Sequence, residues 1–149
     1  MSITAHPGFE ERVAASFRRQ KAMATIGARL VRVAAGEVDI EIPCRDDLTQ
    51  QHGFMHAGII GAVLDSACGY AAYSLMPPDA AVLSIEFKVN LLAPARGERV
   101  IARGRVKKAG RTIMVCDADA FAVSGAEEKL VASMTGTMMV VKDRPDLQG

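Results

Sequence analysis

One nearly uncharged segment, residues 57–76, constrains the fold of this chain more than any other feature. Asp65 is its only charged residue, and small or apolar side chains surround Asp65 on every helical turn. A helix that is apolar on all sides is a buried helix. Burying an unpaired carboxylate is costly unless a partner or a chemical role justifies it. The sequence therefore predicts a buried central helix with Asp65 as its candidate functional residue.

The same segment is nearly long enough to cross a bilayer, so a membrane span is the first alternative. An Asp at the centre of a membrane helix costs about 3 kcal/mol, and Asp65 lies near the midpoint of the segment. The glycines of the segment and the strand-rich remainder of the chain also argue against a span. We therefore expect no membrane association.

The composition favours a globular protein without nucleic-acid partners. The chain has 149 residues, a length that predicts a single domain over residues 1–149. Its formal net charge of +1 gives no general attraction to nucleic acid. The three cysteines have no CxxC or metal-binding spacing, and the charged N-terminal region lacks the apolar core of a targeting segment. We therefore expect reduced thiols, a cytoplasmic location, and neither a metal nor a cofactor.

The rest of the chain is predicted to wrap around the central helix. Phe9, Val13 and Phe17 recur every four residues, which predicts an amphipathic N-terminal helix. Alternating apolar and polar residues predict two strands before the central helix and four after it. Because short turns join the last four strands, these should be antiparallel neighbours. The predicted fold class is α+β: an antiparallel sheet of about six strands around one long helix, with an N-terminal helix.

Two strands give predictions about which side chains face the core. In residues 38–42, apolar residues alternate with acidic ones such as Asp39, which predicts one buried and one solvent-exposed face. In residues 83–91, the odd-numbered positions are apolar and the even-numbered ones, including Ser84, are polar. The odd-numbered residues are therefore expected to share one face of the strand.

Two segments of the chain carry a family resemblance. The chain resembles the PaaI-type thioesterases of the hotdog-fold superfamily in LTQQHGFMHAGIIGAVLDSACGYAA and in the later SIEFKVNLLAPARG. The family motif is a Gln or Asn, then His-Gly-Gly, then an Asp in the helix, then a strand that ends near a proline. The same order and spacing are kept here by Gln50, His56-Ala57-Gly58, Asp65 and Pro94. Ala57 replaces the usual glycine. Alanine suffices at this position if the residue contributes only its backbone N–H and keeps a negative φ.

The resemblance implies a hotdog fold and an enzyme that hydrolyses acyl-CoA thioesters. Asp65 matches the helix carboxylate that acts as nucleophile or as general base on water. The backbone N–H groups of Ala57 and Gly58 match the oxyanion hole, since a helix start offers free N–H groups and a positive dipole end. Gln50 matches the amide that orients the carbonyl or the water, and Ser84 matches a hydroxyl that helps to position water.

Four further residues are candidates for supporting roles. His56 stands next to the helix start, where we expect it to organise the turn by a hydrogen bond rather than to act as a base. Lys108 and Arg111 flank Gly110 at a predicted turn and resemble the nucleotide contacts of the family. The resemblance therefore implies that this turn holds the phosphates of CoA.

The spacing of Ala57 and Asp65 predicts a homodimer. Eight residues on one helix correspond to about 12 Å along its axis, a gap that an Asp side chain is too short to close. Two copies with antiparallel central helices could bring Ala57 of one subunit to Asp65 of the other. We therefore expect a dimer, or a dimer of dimers, with shared sites.

Three alternatives remain open at this point. Asp65 could be a structural carboxylate paired with an arginine. The protein could be a non-catalytic acyl-CoA-binding hotdog protein, in which the same fold only binds ligand. It could also be a hotdog enoyl hydratase or dehydratase, whose His-Phe-Pro loop is followed by an acid 14 residues later. Neither His52 nor His56 begins that pattern, so the thioesterase interpretation is favoured.

Overall fold

One long helix lies against one sheet in the computed structural model of the chain, which describes residues 3–149. The helices are α1 (Phe9–Arg19), α2 (Lys21–Thr25) and α3 (Ala57–Tyr73), with a short 3-10 helix at Asp46–Leu48. The strands are β1 (Arg29–Ala34), β2 (Glu37–Pro43), β3 (Ala81–Leu91), β4 (Arg99–Ala109), β5 (Ile113–Ser124) and β6 (Glu127–Val141). The predicted N-terminal helix, central helix and six strands are present, and the short α2 is an addition to them.

The six strands form one antiparallel sheet in the order β1-β2-β4-β5-β6-β3. Helix α3 contacts five of them, β2 to β6, and its apolar side chains fill the space between helix and sheet. This arrangement confirms the predicted α+β hotdog fold. The prediction that the last four strands are successive neighbours is wrong for β3, which pairs with β6 and not with β4. The seven residues 92–98 that join β3 to β4 are long enough to pass the ends of β5 and β6, roughly 14 Å, instead of forming a hairpin. Strand β3 forms one edge of the sheet, beside the part of α3 that carries Asp65.

Helix and sheet approach each other very closely at Gly104 of β4. A Cβ atom on this residue would lie 2.4 Å from the carbonyl oxygen of Ala67 and 2.5 Å from its carbonyl carbon. Ala67 is fully buried in α3. Because both neighbours are backbone atoms of a packed helix, glycine alone fits at this crossing without moving α3.

Helix α1 is fixed on the C-terminal end of α3 by Arg12. Its Nη2 donates hydrogen bonds to the carbonyl oxygens of Tyr73, at 3.1 Å, and Met76, at 2.8 Å. The guanidinium also stacks over the Tyr73 ring, 4.7 Å from the centroid. A cation is favourable at a helix C-terminus, where carbonyl groups lack helical partners. Arg12 therefore sets where the rest of α1 lies along α3.

A β-bulge in β3 changes which residues face the core. Between Ser84 and Glu86 the pairing of β3 with β6 shifts by one residue. Before the bulge, the even-numbered Ser84 faces α3; after it, the odd-numbered Val89 packs on the core. The prediction that the odd-numbered residues from 83 to 91 share one face is therefore wrong across the bulge.

The exposed face predicted for β2 is also wrong at one position. The apolar residues of the strand are fully buried, as predicted, but Asp39 is only 6% exposed. Arg105 of the neighbouring β4 covers it and donates from Nη1 to Asp39 Oδ1 at 2.7 Å. An acidic residue on the outer face is buried here because a long basic side chain from the next strand lies over it.

Candidate active site

The first turn of α3 offers one free backbone donor. His56 is the N-cap residue, and its Nδ1 accepts the N–H of Gly58 at 2.9 Å. The His56 carbonyl accepts the N–H groups of Ile59 and Ile60. Within residues 3–149, the N–H of Ala57 has no acceptor. The positive end of the α3 dipole and this unpaired N–H together form a place where negative charge is favoured.

Of the two backbone N–H groups in the predicted oxyanion hole, one is free and the other is already hydrogen-bonded. The N–H of Gly58 already bonds to the His56 ring, so in this conformation only Ala57 has a hydrogen available for a substrate oxygen. A Cβ atom on Gly58 would lie 3.1 Å from His56 Nδ1, so a larger residue would require a small shift of the exposed His56 ring. His56 thus contacts the turn through its ring, as the sequence suggested, and Gly58 supports it.

A mostly apolar cleft of about 360 Å³ opens at this helix start, and we call it the Ala57 cleft. Gln50 and Ala57 lie on its wall, and its other lining residues are apolar. The Gln50 backbone is fixed by a 2.8 Å hydrogen bond to the Phe54 carbonyl, and its Oε1 accepts the His52 N–H. Among the described residues the Gln50 amide NH₂ has no acceptor, so it can donate to a ligand in this cleft.

Asp65 lies in a second cleft, of about 320 Å³, which we call the Asp65 cleft. The carboxylate is half-buried rather than enclosed by apolar groups on all sides. Ser84 Oγ donates to Asp65 Oδ1 at 2.7 Å, and within residues 3–149 no cation pairs with Asp65. The alternative in which an arginine neutralises Asp65 therefore does not hold in the described chain. Its second oxygen remains able to accept a proton or attack a carbon.

Within one chain, the two halves of the predicted site are apart. Gln50 and Ala57 line the Ala57 cleft, Asp65 and Ser84 line the Asp65 cleft, and no residue lines both. This separation follows from the positions of Ala57 and Asp65, which lie about 12 Å apart along the axis of α3. A single chain therefore does not present both groups to one small carbonyl.

The cysteines near this site are not alternative nucleophiles. Cys68 is fully buried one turn after Asp65, and burial raises the pKa of its thiol far above the ordinary value. Burial also raises the pKa of Cys116 to about 12. A thiol that remains protonated at neutral pH is a poor nucleophile. Of these groups on α3 and β5, Asp65 is the one that lines a cleft.

The basic turn between β4 and β5 lies away from both clefts. In the sheet register, Ser84 is followed across the strands by Met138, Met114 and Ala109, so the turn begins three strand spacings away, roughly 14 Å. Lys108 and Arg111 are exposed and form no ion pair in the described chain.

Gly110, between those two residues, has a steric reason to be glycine. A Cβ atom there would lie 2.3 Å from the Ile113 carbonyl oxygen. The turn is therefore tight because of its own backbone, independently of any ligand.

Sequence reasoning missed one wall of the Asp65 cleft. Ser16 of α1 and Gln20, which follows that helix, line it together with Ser66 and Tyr70 of α3. Gln148 and Gly149 close another side. The only available signal was that α1 carries polar residues beside its apolar stripe, and most amphipathic helices do so without forming a site.

Within residues 3–149, no group of three or more His, Cys, Asp or Glu side chains is placed to hold a metal ion. No helix of that same part of the chain is sufficiently long and apolar to cross a membrane.

The fold places the chain in a class of protein. A long apolar helix wrapped by a six-stranded antiparallel sheet is the hotdog fold, and in this chain the helix presents the Asp65 carboxylate to a cleft. A family model described as the thioesterase superfamily matches residues 52–129, more than half of the chain. The chain belongs to the thioesterase superfamily.

Individual relatives agree with this assignment. A crystal structure of a thioesterase family protein from Silicibacter pomeroyi is 52% identical, covers 91% of this chain and 99% of that one, and has a TM-score of 0.89. A Halobacterium salinarum protein, provisionally named an esterase, is 31% identical over 79% of this chain and 83% of its own. The Escherichia coli PaaI protein from the phenylacetic acid degradation operon shares the fold, with a TM-score of 0.81 at 17% identity over 89% of this chain and 93% of that one. The prediction of a hotdog thioesterase family is therefore confirmed.

Proposed function

We propose that this protein is an acyl-CoA thioesterase that acts as a homodimer, or as a dimer of dimers, in the cytoplasm. The observation that carries the proposal is the Asp65 carboxylate, half-buried in a cleft and held by Ser84 rather than by a cation. The membership in the thioesterase superfamily supports hydrolysis of a thioester. Three free cysteines support a reducing compartment.

The chemistry follows from the groups that each cleft offers. The carbonyl oxygen of the thioester accepts the Ala57 N–H, which stabilises the negative charge that develops on attack. Asp65 either takes a proton from a water that attacks the carbonyl carbon or attacks that carbon itself, and water then releases the acid. The C–S bond breaks, and the CoA sulfur leaves with the electron pair and is protonated to the thiol.

Gln50 and Ser84 are proposed to position the reacting groups. Ser84 occupies one oxygen of Asp65 and thereby directs the other oxygen toward the water or the carbonyl. The Gln50 amide, on the wall of the Ala57 cleft, orients the carbonyl or the water. His56 holds the helix turn through Gly58. Such fixed donors are effective because they need no rearrangement during the reaction.

A second copy of the chain is proposed to complete each site. Strand β3 is an edge strand and exposes large apolar side chains next to the Asp65 cleft: Leu83, Ile85 and Phe87 are 47–52% exposed. An apolar edge of this kind favours pairing with another chain. A partner with its central helix antiparallel to α3 would supply the Ala57 N–H that the Asp65 cleft lacks.

The phosphates of CoA are proposed to bind the turn between β4 and β5. Lys108 and Arg111 are exposed without carboxylate partners in the described chain, whereas the neighbouring Lys107 pairs with Asp117 at 3.0 Å. Free cations on a tight turn that Gly110 permits can meet phosphate groups without first breaking an ion pair.

Thiol release from a panel of acyl-CoAs tests the activity directly. We expect hydrolysis with kcat/KM of about 10⁴ M⁻¹s⁻¹ or higher for the best substrate. Tight binding of acyl-CoA with no thiol release would instead support the non-catalytic binding protein. Loss of the enoyl chromophore from an enoyl-CoA, again without thiol release, would support a hydratase.

Mixed dimers test whether the site is shared. Asp65→Asn chains with one affinity tag and Gln50→Ala chains with another are co-expressed, and dimers carrying both tags are isolated. One of the two sites in each mixed dimer is then unmodified, so we expect about half of the wild-type rate, well above either variant alone. Dimers of two differently tagged Asp65→Asn chains are the control. A mixed dimer with only the average rate of its parents would show that each site is built from one chain.

A further inference from the structure

The wall of the Asp65 cleft contains a connected group of polar side chains that hydrolysis does not use. Ser66 Oγ donates to Gln20 Oε1 at 3.0 Å, and Gln20 Nε2 donates to the Tyr70 hydroxyl at 3.1 Å. The hydroxyls of Ser16 and Tyr70 are hydrogen-bonded to each other at 3.3 Å. All four residues line the cleft that holds Asp65. We call them the polar wall.

The polar wall has a hydrogen-bond donor to spare. Ser16 and Tyr70 carry two hydroxyl hydrogens, and the bond between them uses one, whichever of the two donates. The Tyr70 oxygen also accepts from Gln20, which consumes no hydroxyl hydrogen. One O–H of the pair therefore has no acceptor within residues 3–149. Tyr70 is 5% exposed, and a nearly buried donor is stabilised by an acceptor that enters the cleft.

The position of this donor matches the acyl part of a thioester attacked by Asp65. Tyr70 follows Asp65 by five residues, about 7.5 Å along the helix axis. Of the two arms of the thioester carbon, the CoA arm continues to a nucleotide that a cleft of about 320 Å³ cannot enclose. The arm that ends in this cleft, between α1, α3 and the C-terminal residues, is therefore the acyl group.

We infer that the preferred substrate carries a neutral oxygen, as a hydroxyl or keto group, about five or six bonds beyond the thioester carbonyl, where it accepts a hydrogen bond from the polar wall. This inference rests on the proposed thioesterase function and names its substrate class. A second carboxyl group at the same place is disfavoured, because it would share the cleft with the carboxyl group of Asp65.

Three matched substrates test the inference: hexanoyl-CoA, 6-hydroxyhexanoyl-CoA and 3-hydroxyhexanoyl-CoA. We expect the wild-type kcat/KM to be roughly tenfold higher for the 6-hydroxy substrate than for hexanoyl-CoA, the effect of one well-made hydrogen bond. The 3-hydroxy substrate, whose oxygen lies near the carbonyl, should not gain this advantage. The double variant Ser16→Ala/Tyr70→Phe, which removes both hydroxyls of the pair, should bring the ratio of the 6-hydroxy to the plain substrate close to one.

Tyr73→Phe is the matched control, because it removes a hydroxyl from the same helix outside the lining of this cleft. It should retain the wild-type ratio. Equal rates for the 6-hydroxy and plain substrates in the wild type would overturn the inference, even if the double variant failed to fold. A preference that persists in a folded Ser16→Ala/Tyr70→Phe variant would also overturn it. Absence of hydrolysis with all three substrates, in a protein that releases thiol from other acyl-CoAs, would overturn the inference alone. Absence of hydrolysis with every acyl-CoA of the panel would instead contradict the proposed function.

Discussion

Replacing Asp65 with Asn should lower kcat/KM for the best acyl-CoA by about 10³-fold. The amide has nearly the shape of the carboxylate and can still accept the hydrogen bond from Ser84, so the cleft should keep its form. An amide is neither a base nor a useful nucleophile, and the loss should therefore appear mainly in kcat rather than in KM. Steady-state thiol release, combined with a thermal unfolding curve, measures both effects.

Asp119→Asn provides a closely matched control for this substitution. Asp119 accepts a hydrogen bond from Ser133 Oγ at 2.7 Å, the same distance as between Ser84 and Asp65, but it lies on β5 outside both clefts. Its replacement should leave kcat/KM within about twofold of the wild type, since it does not touch the substrate. A normal rate in the Asp65→Asn variant would remove Asp65 from the mechanism while leaving the fold assignment intact.

Gly104→Ala should destabilise the protein by about 3 kcal/mol, the upper range for overpacking a rigid core. The new methyl group would lie 2.4 Å from the Ala67 carbonyl oxygen, so α3 must move away from β4 or the strand must bend. For a chain of 149 residues, a loss of this size corresponds to a fall in Tm of roughly 6–12 °C. Chemical denaturation monitored by circular dichroism gives the free energy of unfolding.

The same substitution at Gly136 distinguishes overpacking against backbone atoms from overpacking against a flexible side chain. A Cβ atom on Gly136 of β6 would meet the end of the flexible Met138 side chain at 3.0 Å rather than a carbonyl group. Met138 can shift to another rotamer, so Gly136→Ala should change the free energy of unfolding by less than about 1 kcal/mol. Equal losses at the two glycines would show that the approach of α3 to β4 is not specially constrained.

The sequence predicted the fold well because its periodicities are strong. Residues 57–76 combine apolar character with one central Asp65, which favours a buried central helix, and short turns explain the pairing of β4 with β5 and of β5 with β6. The place of β3 beside β6 was not predicted, because the segment after β3 passes the ends of two strands instead of forming a hairpin. Two further errors arise where a single residue departs from a regular pattern. The bulge after Ser84 inserts a residue into β3, and no alternation of apolar and polar residues signals it. Asp39 is buried because Arg105 reaches it from another strand, a contact that sequence spacing does not reveal.

The site was predictable in part for a similar reason. The motif identified Asp65 and Ala57 as candidate site residues, and helix geometry showed that they are too far apart within one chain to contact the same carbonyl group. The motif did not show that the His56 ring already uses the N–H of Gly58, because that bond depends on the side-chain rotamer. The sequence did not predict the polar wall, since Ser16 and Gln20 reach the cleft only through the placement of α1 on α3.

The placement of α1 on α3 gives two residues of this surface helix different roles. Arg12 anchors α1 to the end of α3, and one turn further on Ser16 contacts the space where the acyl group is proposed to lie. The groups proposed to act on the thioester at this cleft, by contrast, belong to α3 and β3. Selectivity could therefore evolve, or be engineered, by exchanging the outer face of one peripheral element between relatives while the chemical machinery stays unaltered, provided that the arginine anchor is kept.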